Sequence, residues 1–267
     1  MDIRKLVENF TNWNLEEIEI YRELISTRDD KAIFPPYIPF VGKSYEQFGI
    51  LIYAKAQNIA LGDRYYEYLK NMTTEQRVRR LYDATTYPDV AIAPYNSGVI
   101  PALIGIYLYA KHHIRLESFD EIQNCLAVAN YYKFSLNKNG RDINPDSLGR
   151  LSNPMQYREL NSKLCKHELN FLRPRTIVTF KGWHNKFLRD NGYKIVEISD
   201  PSFILQGGWG HFRKGGSYYK AADSVKDRTA MELAAAYSEK CEGNYKVKNK
   251  IDSVRIYLLK YYQDWQA

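Results

Sequence analysis

Gly49-Ile-Leu-Ile-Tyr-Ala54 is a continuous apolar run with no polar residue alternating through it. A strand that alternates has one face in water. A strand that does not is covered on both faces, the position of a central strand in a parallel sheet. Three further runs read as strands: Cys125-Leu-Ala-Val-Ala-Asn-Tyr-Tyr132, buried and ending in a polar residue, Thr176-Ile-Val-Thr-Phe180 and Lys194-Ile-Val-Glu-Ile198. Helical patterning separates them, over residues 65–82, 99–112 and 157–172 and in a shorter stretch from 183 to 188. Strands alternating with helices predict an α/β fold, a three-layer sandwich with a central, mostly parallel four-stranded sheet flanked by helices. Ligands of such sheets bind beyond the carboxyl ends of the strands.

Working outward, residues 2–27 place Leu6, Phe10, Trp13, Ile18, Tyr21 and Leu24 at mostly three- and four-residue intervals, which predicts an amphipathic helix. Phe34-Pro-Pro-Tyr-Ile-Pro-Phe40 breaks any helix and leads extended chain towards the first strand. At the other end, residues 228–237 and 247–265 read as closing helices. The stripe Ile251, Val254, Leu258, Tyr261 or Tyr262, and Trp265 reads as core packing. No Ser/Gly/Pro-rich linker divides the 267 residues, so one domain over residues 1–267 is expected, with helical extensions at both ends.

Cys125, Cys165 and Cys241 are odd in number, widely spaced and part of no C-x-x-C pair. They argue against a disulfide framework, a zinc site or an iron–sulfur cluster, and read as buried thiols. The apolar stretches at residues 50–54, 100–110 and 126–129 are shorter than the roughly 20 residues that span a bilayer. The start, Met-Asp-Ile-Arg-Lys, lacks a signal-peptide core, so a cytoplasmic protein without a membrane partner is expected, nucleoid-associated in a prokaryote. A net charge of +7 favours a polyanionic partner, and 23 tyrosines among those cations suit stacking on unpaired bases.

The strand ends carry the candidate chemistry: Lys55-Ala-Gln-Asn58, Asn130, Lys181-Gly-Trp-His184, and Asp200-Pro-Ser202 with a glycine-rich loop running to Gly216. The carboxamide of Asn130 offers a donor and an acceptor together, which matches the polar edge of a pyrimidine. A strand-end asparagine satisfying its own backbone is the plainer alternative. In the loop, apolar Ile204 and Leu205 stand a few residues ahead of the cations Arg213 and Lys214, among glycines that let a backbone approach a partner closely. A surface hairpin with solvated cations fits the same residues. Tyr65, Tyr66 and Tyr68 are candidates for stacking on a base or for core packing.

The order of these features resembles the uracil-DNA glycosylase superfamily. Phe40-Val-Gly-Lys-Ser, followed by Ile50-Leu-Ile-Tyr-Ala-Lys-Ala-Gln-Asn58, is similar to the family's first strand and water-positioning loop. Ala129-Asn-Tyr-Tyr-Lys133 resembles the strand whose terminal asparagine reads the flipped base. Cys165-Lys-His-Glu-Leu-Asn-Phe-Leu-Arg-Pro-Arg-Thr-Ile-Val-Thr-Phe-Lys-Gly182 looks like its helix, proline and buried strand. Asp200-Pro-Ser-Phe-Ile-Leu and Gly208-Trp-Gly-His-Phe212 resemble its His-Pro-Ser segment and minor-groove loop. The resemblance implies a base flipped from the stack, read by Asn130 and stacked on Tyr65 or Tyr66, with DNA held by Lys55, Ser202, Ile204, Leu205, His211, Arg213 and Lys214.

The chain departs from the family pattern at two places. The first loop has Lys55-Ala56 where many relatives have Asp, Asn or Glu, leaving Gln57 or Asn58 to position the water. Asp200 stands where relatives commonly have His. An ionised aspartate would repel charge growing on the leaving base, but it can stabilise a positively charged sugar, act as general base, or donate if burial keeps it protonated. Asp-Pro-Ser is also a turn starter. A modified pyrimidine therefore fits better than uracil.

The resemblance implies a monofunctional DNA glycosylase that leaves an abasic site, in repair or in defence against modified foreign DNA. Asp200, Asn58 and Gln57 would be its catalytic residues, it would need no metal or organic cofactor, and it would act as a monomer on duplex or single-stranded DNA. The alternative is a catalytically inactive glycosylase-like DNA-binding module. An enzyme of free nucleosides is a third reading. The absence of G-x-G-x-x-G and G-x-x-x-x-G-K-[ST] loops counts against dinucleotide and nucleoside triphosphate users.

Overall fold

A computed structural model of the protein describes residues 39–54, 98–131, 136–138, 141–143, 154–180, 184–200, 211–241 and 251–266. The helices expected over residues 2–27 and 65–82 lie outside the described residues. In chain order the strands are β1 (Phe40–Val41), β2 (Ile50–Ala54), β3 (Leu126–Asn130), β4 (Leu136–Lys138), β5 (Arg141–Ile143), β6 (Thr176–Phe180) and β7 (Ile195–Ile198). The helices are α1 (Tyr45–Phe48), α2 (Val99–His112), α3 (Phe119–Asn124), α4 (Pro154–Leu172), α5 (His184–Asp190), α6 (Ser217–Asp223), α7 (Arg228–Lys240) and α8 (Ile251–Gln266). The chain divides into two compact units, Met1–Tyr87 with Leu126–Ile198, and Pro88–Cys125 with Ser199–Ala267.

The first unit is an α/β body around a five-stranded sheet of order β1-β3-β2-β6-β7. Strands β3, β2, β6 and β7 run parallel, and β1 adds antiparallel to β3 at the edge. The apolar run at residues 50–54 forms the middle strand, all five of its residues buried. Burying Ile50, Leu51 and Ile52 contributes roughly 1.5–3 kcal/mol each, which offsets about 1–2 kcal/mol per residue of backbone ordering. The four parallel strands are those expected from the sequence. The two-residue β1 and the antiparallel β4–β5 pair were not expected.

Gly49 joins α1 to β2 in a left-handed conformation, φ 63°, and its N–H closes α1 on the Tyr45 carbonyl at 2.6 Å. A β-carbon there would lie 2.8 Å from Arg175 Cγ and 3.1 Å from the Arg175 nitrogen, so backbone conformation and close approach both favour glycine. Arg175 fastens the same corner by donating to the carbonyls of Gln47 (2.8 Å) and Glu46 (3.2 Å). Helix α4 begins a turn earlier than the expected residue 157 and stops where Arg173 turns left-handed, φ 47°, before Pro174. The Tyr45 hydroxyl caps its last turn at the Leu172 carbonyl, 3.1 Å. Helices α4 and α5 flank the sheet of this unit.

The second unit is helical. All but three residues of α2 are buried, the composition of a helix surrounded by protein, and it packs on α3, α7 and α8. Helix α3 opens with a capping box: Ser118 Oγ accepts from the Glu121 N–H, and the Glu121 carboxylate accepts from the Ser118 N–H. Helix α8 also packs on α6 and α7, and the expected stripe is core, with Val254, Leu258, Tyr261, Tyr262 and Trp265 buried. Trp265 meets the Tyr107 ring edge-on at 5.1 Å, and Gln266 caps α2 at the Ala110 carbonyl, 2.9 Å. Among the described residues no helix is long and apolar enough to cross a membrane.

Candidate functional site

The sheet order places the reversal of chain direction between β2 and β6, because the chain moves outward from β2 to β3 and then returns to β6 on the other side. Ligands of open parallel sheets sit beyond the carboxyl ends of strands at such a reversal. Asn130 ends β3 opposite Ala54 of β2 and is 7% exposed. The ladder continues one residue further, where the Tyr131 N–H donates to the Ala54 carbonyl at 2.8 Å.

Helix α4 fixes the peptide that follows. Asn161 Nδ2 donates to the Tyr131 carbonyl at 2.9 Å and the Cys165 thiol donates to the same oxygen at 3.1 Å. Asn161 and Cys165 stand one turn apart, so a single helix face presents both donors. Across from them the Tyr131 ring packs against Phe187 of α5 at 5.4 Å. Beside them the Tyr53 hydroxyl is fully buried, and burial is the main cause that pushes that phenol's pKa well up. Tyr53 therefore stays protonated through the physiological range.

A second strand end is held in the same manner. Asn185 of α5, 2% exposed, donates to the Phe180 carbonyl at the end of β6 (3.2 Å) and to Glu197 of β7 (2.8 Å). Its own carbonyl accepts from Thr179 at 3.1 Å, and Arg189 pairs with Glu197. Two buried asparagines thus take the end carbonyls beside β3 and on β6, where the ladder no longer supplies partners. The sequence signalled neither. A polar residue one turn from Cys165, on the face that also carries Leu164, Leu169 and Leu172, was the available sign.

Asp200 belongs to the second unit, two residues past β7 in the chain, and is exposed. Tyr218 links its surroundings to His211. The Tyr218 hydroxyl meets Ser199 Oγ at 2.8 Å, and its ring lies 5.7 Å from the His211 ring and 5.1 Å from that of the buried Phe212. His211 Nδ1 shares a hydrogen bond with Ser217 Oγ at 3.0 Å. Arg213 and Lys214 are exposed. Lys55, Gln57, Asn58, Tyr65, Tyr66, Tyr68, Ser202, Ile204 and Leu205 lie outside the described residues.

Cys125, Cys165 and Cys241 are buried thiols outside any disulfide, and burial pushes the Cys241 thiol up to about 12, which leaves it an inert core residue. Among the described residues no cluster of three His, Cys, Asp or Glu side chains could hold a metal ion. The described groups offer a buried carboxamide at a strand end, an exposed carboxylate and exposed cations. In the first unit the Asn130 carboxamide suits reading a polar heterocycle, and in the second unit, taken by itself, the exposed cations suit a polyanion. No protein-family model matches the chain, and no curated protein shows significant similarity to it.

Proposed function

We propose that the protein is a monofunctional DNA glycosylase with a three-layer, uracil-DNA glycosylase-like fold, acting on a flipped, modified pyrimidine. The observation that carries the reading is Asn130, a buried carboxamide at the carboxyl end of β3, beside the central strand of a parallel sheet. In the reaction the bond between the base nitrogen and C1′ breaks, the oxygen of water joins C1′, and the base leaves with a proton. Asn130 binds the base edge, and Asp200 as a carboxylate stabilises the positive charge that develops on the sugar. Gln57 or Asn58 positions the water. Arg213, Lys214 and the net charge of +7 supply salt-dependent DNA affinity.

An abasic-site assay tests this. Protein is incubated with labelled duplex and single-stranded oligonucleotides carrying uracil, mismatched thymine, or hydroxymethylated or glucosylated cytosine, then treated with alkali. A break at one modified pyrimidine, absent with Asn130→Ala, is the expected result. Intact strands throughout, with salt-sensitive DNA binding, would replace it with the second reading, a glycosylase-like binding module. The apolar Ala56 in the water-positioning loop favours that second reading.

A further inference from the structure

Ser199, the residue before Asp200, is held at every polar atom by a tyrosine hydroxyl. Its N–H donates to Tyr261 at 2.6 Å, its carbonyl accepts from Tyr257 at 2.6 Å, and its Oγ shares a hydrogen bond with Tyr218 at 2.8 Å. Three bulky side chains from α6 and α8 converge on one small residue. A solvated turn would leave those groups to water.

We propose that Tyr218, Tyr257 and Tyr261 are positioning residues that fix the backbone of Asp200 so that its exposed carboxylate is presented in one orientation to the substrate. The proposal rests on the glycosylase reading of Asp200. The Ser199 carbonyl belongs to the peptide that carries the Asp200 nitrogen, so the Tyr257 hydroxyl sets the plane on one side of Asp200. Pro201 acts on the other side, because a residue before proline is confined to extended conformations. The backbone of Asp200 is therefore restrained from both neighbours while the residue itself is exposed. A reacting group displaced by about 1 Å loses on the order of 100-fold in rate, which is the physical reason to hold it so.

The clamp is itself rigid. Tyr257 and Tyr261 are buried one turn apart on α8 with ring centroids 4.9 Å apart at 66°. Tyr218 sits edge-on to Tyr261 at 6.5 Å, and the Lys260 ammonium lies 4.0 Å from the Tyr261 ring centre and 5.0 Å from that of Tyr218. Burial pushes the Tyr261 phenol up to about 12 and that of Tyr257 well above its usual range, so both stay protonated through the physiological range.

The test is single-turnover excision, on whichever panel oligonucleotide the wild type cuts, by Tyr257→Phe, Tyr218→Phe, Asp200→Ala and the double variant Asp200→Ala/Tyr257→Phe. Tyr257→Phe is expected to slow excision roughly 10- to 100-fold with DNA affinity within about twofold of wild type. In the Asp200→Ala background it is expected to add no further loss, an outcome a merely structural role would not produce. Equal losses in both backgrounds, or no loss in either, would overturn the proposal and leave the glycosylase reading standing. So would full activity of Asp200→Ala. A wild type that excises nothing would remove the glycosylase reading and this proposal with it. Should Tyr257→Phe fail to fold, Tyr218→Phe, which removes the hydroxyl that meets Ser199 Oγ, carries the same cycle with the same criteria.

Discussion

The Asn161 side-chain amide donates to the Tyr131 carbonyl at 2.9 Å, tying the middle of α4 to the residue that follows β3. Both groups are buried, so the bond cannot be exchanged for one to water. Asn161→Leu leaves that carbonyl to the weaker Cys165 donor and should destabilise the protein by about 1–3 kcal/mol. Urea unfolding at an unchanged m-value measures it. A variant within 0.5 kcal/mol of wild type, roughly the ordinary effect of a surface change, would show that the amide carries no such weight.

Asn130 has a different signature, loss of chemistry without comparable loss of binding. Phosphate contacts supply most of the affinity for DNA, whereas the carboxamide acts on one base. Asn130→Ala should lower the excision rate by roughly 100- to 1000-fold, the usual effect of removing one donor aimed at a developing charge. DNA affinity should be largely retained. Parallel excision and fluorescence-anisotropy titrations decide it, and an Asn130→Ala variant that excises at the wild-type rate would end the assignment.

Arg213 and Lys214 are exposed cations whose proposed partners are phosphates. Each phosphate neutralised contributes about −0.9 to the slope of log affinity against log salt on duplex DNA. Arg213→Ala with Lys214→Ala should therefore reduce the magnitude of that slope by about 1–2. An unchanged slope in binding titrations across salt concentrations would place the DNA elsewhere.

Asp227 caps α7 and accepts from Tyr262 at 2.5 Å, Tyr109 at 3.1 Å and the Ala230 N–H at 3.0 Å. Burial alone would push its carboxyl up. The hydrogen bonds from Tyr262, the Ala230 N–H, Tyr109 and the Thr229 N–H outweigh that and hold it below its ordinary 3.8. Folding thus favours the ionised form, so the stabilisation is complete above 3.8 and fades as pH falls through the lower folded value. Asp227→Asn should flatten the acid limb of a stability–pH curve. Asp227→Ala should cost about 2–4 kcal/mol at neutral pH, from the lost cap and two stranded hydroxyls. An acid limb unaltered by Asp227→Asn would contradict this account.

Gly105 of α2 faces Tyr237 of α7 and Ile122 of α3. A β-carbon there would lie 2.7 Å from Tyr237 Cε2 and 2.8 Å from Ile122 Cδ1, and the Tyr237 ring is pinned by its hydroxyl on the Leu116 carbonyl at 2.6 Å. Alanine is the better helix former by about 1 kcal/mol, but overpacking costs about 1–3 kcal/mol, so Gly105→Ala should be destabilising on balance. A rise in Tm would show that Tyr237 can move aside.

The sequence by itself determined the four parallel strands: burial on both faces writes an uninterrupted apolar run into β2 and into β3 as far as Asn130, while β6 and β7 show as short runs of strand-forming residues between helices. It also marked the closing helix α8, whose stripe repeats every turn, and singled out Asn130 at the end of one strand and Asp200 just past another. It did not mark β1, two residues being too few to carry a period, nor the order in which the strands lie side by side. Tertiary structure alone chose Asn161 as partner to Tyr131, thirty residues away in the chain. It also gathered Tyr218, Tyr257 and Tyr261 around Ser199 from as far as 62 positions along the sequence. A hydrogen bond between distant residues leaves no periodic trace in the chain, since its partners become neighbours only when the helices that carry them have packed.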